Sequence, residues 1–162
     1  KRTTNRITVN GSTGWGDDIL GIGTYLRDAS RGLYNLYVID PSEQQIRHYP
    51  PASDGNGFPS KSSAWLATAR PVDKMTALYI DGDMYITENG VLDRYTSGKS
   101  DAWEPGKPGD VLLRPKTNEV LVAGAGERNS GRVYTFDREN ARLIAYDKRS
   151  GDFVAQYLRN LT

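Results

Sequence analysis

No cysteine occurs among the 162 residues, which removes disulfides, cysteine-ligated metals and cysteine nucleophiles together. Histidine is nearly as scarce. His48 is the single one, so no two-histidine metal site can be assembled, and no serine in a nucleophile-elbow motif accompanies it to start a hydrolytic triad. No apolar run approaches the roughly 20 residues that span a bilayer, and no signal-peptide pattern is present, so no membrane contact is expected within this segment. A charge of one sign is also missing. With 21 basic and 20 acidic side chains the net charge is +1, which gives no field drawing in nucleic acid. Helical signals are almost absent: residues 64–69 and 138–144 have the propensity, but each is shorter than the 12 or so residues a stable helix needs. The lack of cysteine fits an intracellular domain and also a bacterial extracytoplasmic one, the second slightly favoured, so the compartment stays open.

What is there is a repeat. Residues 132–159 contain three strand-like runs separated by two turns. Val133, Tyr134, Thr135 and Phe136 are β-branched or aromatic, the polar run from Asp137 to Asn140 interrupts them, a second run covers 143–146, and a third alternates over 153–158 after Ser150-Gly151. Two earlier stretches copy this unit. Leu36-Tyr37-Val38-Ile39-Asp40, Met84-Tyr85-Ile86-Thr87-Glu88 and Val133-Tyr134-Thr135-Phe136-Asp137 each hold an apolar residue, a tyrosine, two strand formers and an acid. Their tyrosines recur at about 48 residues, within the range of four-stranded propeller blades. A second tyrosine closes each following strand, at Tyr49, Tyr95 and Tyr146, and the copies then reach Ser63-Ala64-Trp65, Asp101-Ala102-Trp103 and, in the third, Phe153.

The stretch 140–157, Asn-Ala-Arg-Leu-Ile-Ala-Tyr-Asp-Lys-Arg-Ser-Gly-Asp-Phe-Val-Ala-Gln-Tyr, preceded by Val-Tyr-Thr-Phe-Asp, resembles an NHL-type repeat of a six-bladed β-propeller. The resemblance is looser at Gln45-Ile46-Arg47-His48-Tyr49 and Val91-Leu92-Asp93-Arg94-Tyr95, which lack the Asn-x-Arg. It implies an all-β fold, a partial β-propeller of about three four-stranded antiparallel blades. The divisions are an N-terminal edge strand and loop at 1–18 and blades at about 19–70, 71–110 and 111–162. Half a propeller exposes two blade faces, so the partners expected are the missing blades of the same propeller, a protein, or, for the isolated chain, a second copy in a homodimer. Strand expectations in chain order are 6–9, 19–26, 33–40, 45–49 and 64–69, then 75–80, 84–88 and 91–95, then 111–114 and 119–125 before the closing unit.

Propellers host many activities, so function rests on the sites. Asp40, Glu88 and Asp137 each end the second strand of a blade, and in the usual chain path they would share a rim with Trp15, Asp17 and Asp18. A ring of carboxylates there could hold a divalent cation, whereas an acid after a strand also caps its turn by accepting backbone N–H bonds. Asp81-Gly82-Asp83 and Asp54-Gly55-Asn56-Gly57 match pieces of calcium loops without the closing Glu, and turns explain them better. The loop 50–63 is the longest irregular stretch, a length often functional or mobile, and a solvated insertion explains it at least as well. Tyr37, Tyr85 and Tyr134 are expected to lie between blades. The reading reached is a non-catalytic propeller segment for protein interaction or ligand sensing in a larger host protein, with no cofactor. The alternative is half of a metal-dependent lactonase or hydrolase, as the resemblance to six-bladed gluconolactonase-like enzymes implies. Single-stranded RNA binding, known among NHL propellers, would call for a basic face.

Overall fold

The computed structural model is all-β, with three antiparallel four-stranded sheets. It describes residues 9, 18–59, 61–107, 119–123 and 130–158, the backbone alone at 119–123. The chain divides into two compact units, Lys1–Asp73 and Lys74–Thr162. The first unit holds β1 (Gly21–Asp28), β2 (Leu33–Asp40), β3 (Gln45–Tyr49) and β4 (Ser63–Ala64), paired in that order. The second holds two sheets. One is β5 (Met75–Ile80), β6 (Met84–Glu88), β7 (Val91–Thr96) and β8 (Lys99–Ser100); the other is β9 (Glu119–Ala123), β10 (Arg132–Asp137), β11 (Arg142–Asp147) and β12 (Phe153–Leu158). Each sheet is an up-and-down meander, and the fold is a partial β-propeller of three blades.

Local chemistry accounts for these elements. Asn89 and Gly90 both take positive φ (50° and 76°), the requirement of the two-residue turn that joins β6 to β7 without splaying them. Val38, Ile39, Met84, Tyr85 and Ile86 lie at or near zero exposure, so β2 and β6 are covered on both faces, and their near-continuous apolar runs follow from that.

Three expectations are revised. The outer strand placed at 64–69 is only Ser63–Ala64. Beyond it the Trp65 N–H still donates to the Ile46 carbonyl (2.8 Å), and at Leu66 a side chain takes over: the buried Gln45 accepts from the Leu66 N–H (2.7 Å) and donates to the Leu66 carbonyl (3.3 Å). The inner strand expected at 19–26 runs from Gly21 to Asp28, with a register shift between Leu26 and Asp28. Tyr134 is only partly buried, whereas Tyr37 and Tyr85 lie in the core. Of the stretch 6–9, Val9 makes a parallel bridge to Phe58; its other residues, and 111–114, lie outside the described residues.

Candidate functional site

The most fully built polar site lies in the second unit, where its two blades meet. Strand alternation puts Tyr85 and Thr87 on one face of β6, and cross-strand pairing adds Leu92 and Arg94 from β7. On β10 and β11 the opposite phase, Val133, Ile144 and Tyr146, meets them: with Tyr85, Leu92 and Trp103 these residues form one buried cluster. Trp103 stands edge-on to Tyr85, ring centroids 5.6 Å apart. In the first unit Trp65 stands edge-on to Tyr37 at 6.2 Å. The matching Ala-Trp pairs of the sequence are therefore side-chain partners of the recurrent tyrosines. Phe153 departs from the series. It pairs with Tyr146 and packs on the cluster, on the face away from Tyr134. Burial pushes the Tyr146 phenol up to about 12 and raises Tyr85 further, so both remain neutral.

Around this apolar patch runs a polar clamp. Lys148, wholly buried in the turn after β11, forms an ion pair with Asp81 in the turn between β5 and β6. Its carbonyl accepts from Arg94 (2.8 Å), and Arg94 also donates to Asp101 (2.8 Å). The Thr96 hydroxyl donates to the buried Asp83 (3.0 Å), and Asp101 caps the Trp103 N–H (2.8 Å). A second tie is backbone alone: Gly106 N–H donates to the Gly151 carbonyl (2.7 Å). Gly151 has φ +84°, and a Cβ there would lie 2.1 Å from the Glu104 carbonyl oxygen. Only glycine fits that crossing. The sequence offers Lys148 as one charge in a charged turn. Nothing in its neighbours marks it as the member that goes inside.

The acids singled out by the repeat are placed as follows. Asp40, buried, caps the 3-10 turn Pro41–Glu43, accepting from the Ser42 N–H (3.0 Å) and hydroxyl (2.6 Å). Asp137, at zero exposure, accepts from Asn140 (2.7 Å) and forms a buried salt bridge with Arg142 (3.0 Å). Arg142 reaches on to Gln156 (3.1 Å). The two equivalent acids thus close their turns by different means. Glu88 is half-buried at the end of β6, and Asp18 is exposed. Trp15 and Asp17 lie outside the described residues. Among the described residues no group of three or more His, Asp or Glu is placed to hold a metal ion.

His48 stacks on Tyr37 (4.9 Å between centroids), with the Ser63 hydroxyl 3.4 Å from Nδ1. Its Nε2 is buried with no hydrogen-bond partner, so a protonated ring would bury a donor without an acceptor. Burial first, then Arg27, hold the imidazole below its ordinary value of 6.5. The unfolded chain therefore takes up the proton more readily, and the stability this site contributes above that value is lost as the pH falls below it. The unfolding midpoint should drop as the pH is lowered from about 7 to about 5.5, and His48→Phe should remove part of that drop. An identical pH dependence in the variant would reject the assignment.

No family model matches the sequence, and no curated protein is significantly similar to it.

Proposed function

We propose that this chain is a non-catalytic β-propeller segment, of NHL type, that engages a protein partner or senses a ligand within a larger host protein. The observation that carries the reading is the repeated register. On β6 the Tyr85 face is covered by the Val133, Ile144 and Tyr146 face of the next blade. The same register on β10, β11 and β12 gathers Tyr134, Phe136, Leu143 and Tyr157 on one face, and Tyr157 there is 48% exposed. Such a partly open apolar face suits a further blade or a partner surface. Asp40 and Asp137, acids that a metal-dependent enzyme would draw on, are engaged inside their own turns, which favours binding over chemistry. In isolation a second copy is the simplest cover, since closed two-fold pairs are the commonest homo-oligomers.

Light scattering at micromolar concentration tests this. A particle of two chains is expected, and Tyr157→Asp, a substitution at an exposed site with little effect on stability, should return it to one. A wild-type monomer would reject the self-association. A dimer indifferent to Tyr157→Asp would reject this face as its interface.

A further inference from the structure

The first unit carries two neighbouring cavities of opposite character. One, of about 460 Å3, is apolar, lined among others by Val9, Leu33, Tyr34, Leu36, Pro51 and Phe58. The second, of about 620 Å3, is polar and includes Arg27 and Arg31. Leu33 and Pro51 line both. The apolar volume falls within the roughly 300–1,000 Å3 of small-molecule sites.

The wall of the apolar cavity is the loop that the sequence marks as unusually long. Ala52 N–H donates to the Gly57 carbonyl (2.9 Å) and Gly55 N–H to the Ala52 carbonyl (3.1 Å), while Asp54 caps Asn56 (2.9 Å). Gly55, at φ +79°, leaves the Leu33 side chain just within contact of a Cβ placed there. Arg31 donates to the Ser53 carbonyl and so ties this loop to the β1–β2 turn. On the floor, cross-strand pairing aligns Leu26 with Tyr34 and Thr24 with Leu36. Leu26 and Tyr34 are 39% and 49% exposed, so apolar surface continues out of the cavity toward solvent.

At the polar end the guanidiniums of Arg27 and Arg31 outnumber the carboxylates. Its one carboxylate, Asp28, is turned into the chain: it accepts from the Ser30 N–H (3.0 Å) and hydroxyl (2.7 Å) and from the Arg31 N–H (3.3 Å). Arg27 and Arg31 are both exposed. A guanidinium carries five N–H donors, so the bond from Arg31 to Ser53 leaves donors free for an anion.

From this juxtaposition we infer that the two neighbouring cavities together bind a small soluble anionic amphiphile, a molecule with an apolar body and one carboxylate or phosphate group. The body lies against Leu33, Tyr34, Leu36 and Phe58, and the anionic group meets Arg27 and Arg31. Apolar area supplies affinity, and the charged hydrogen bonds fix orientation. The inference rests on the ligand-sensing part of the reading above, whereas self-association is read from the other unit.

Calorimetric titration of the full chain with decanoate, kept below micelle formation, tests it. Saturable one-to-one binding is expected. Arg27→Gln with Arg31→Gln should weaken decanoate about tenfold or more, and leave the neutral decan-1-ol unchanged. Thr24→Trp, at an exposed residue of the apolar lining, should abolish both. Unchanged circular dichroism and unfolding midpoints would show the variants folded. No saturable binding by the wild type, as when the chain's own segment fills the cavity, overturns the proposal, and so does equal decanoate affinity in the arginine variant. Sedimentation with phosphatidylglycerol vesicles without decanoate binding would assign the arginines to a membrane surface instead. Binding retained in monomeric Tyr157→Asp is expected, so failure here leaves the association of the second unit standing.

Discussion

Lys148→Ala should lower the unfolding free energy by about 3–5 kcal/mol in denaturant titrations, the cost of breaking a buried ion pair from one side. The ammonium is at zero exposure and its partner Asp81 is 12% exposed, so neither charge is well hydrated once the other is gone. Asp81→Ala should cost a similar amount. The double variant Lys148→Met with Asp81→Leu should regain most of the loss, because it removes both desolvated charges and refills their volume. The two single effects are then strongly non-additive. Single variants within about 0.5 kcal/mol of wild type would show that the pair sits in a surface environment. Lys148 also holds the joint through its backbone, since Arg94 donates to its carbonyl. That bond survives side-chain truncation, so the double variant isolates the charge pair.

Tyr85→Ala is expected to cost about 3–5 kcal/mol, the range for deleting a large aromatic from a core. Tyr85 lies at zero exposure between Leu92, Trp103, Val133 and Tyr146, and its loss leaves a cavity bounded by two sheets that cannot close on it. Tyr134→Ala at the equivalent repeat position should cost less, because a partly buried ring forfeits less buried area. The comparison reads the blade-to-blade joint directly. Equal costs at low protein concentration would mean that Tyr134 is as enclosed as Tyr85, and would reject the open face on which association depends.

Much of the fold was legible because its determinants are local. The Leu-Tyr-Val-Ile-Asp type of motif places a strand, a two-face apolar pattern and a turn acid within five neighbours, and the structure puts β2, β6 and β10 on those motifs. Asn89-Gly90 specifies its hairpin because few other residues tolerate positive φ at both positions. The outer strands were less legible. Gln45 replaces a ladder bond of the first blade with its side-chain amide, and an amide that imitates a backbone group leaves no periodic trace.

The candidate site was legible only as residue types. Asp40, Glu88 and Asp137 occupy one repeat position, yet Asp40 caps with Ser42 while Asp137 is paired with Arg142. The difference comes from what stands two and five residues on, serine after the first and arginine after the last. That much the sequence determined by itself, along with the strands, the turns and the tyrosine repeat, since each depends on residues within a few positions. Tertiary structure alone decided that Lys148 goes inside, 67 residues from its partner Asp81. It also decided that Tyr85 is fully covered and Tyr134 only partly, and that Arg27 and Arg31 stand near an apolar cavity walled by a loop from beyond β3. Charge burial and concavity depend on which surfaces meet, and residues distant in the chain meet only after the sheets have packed.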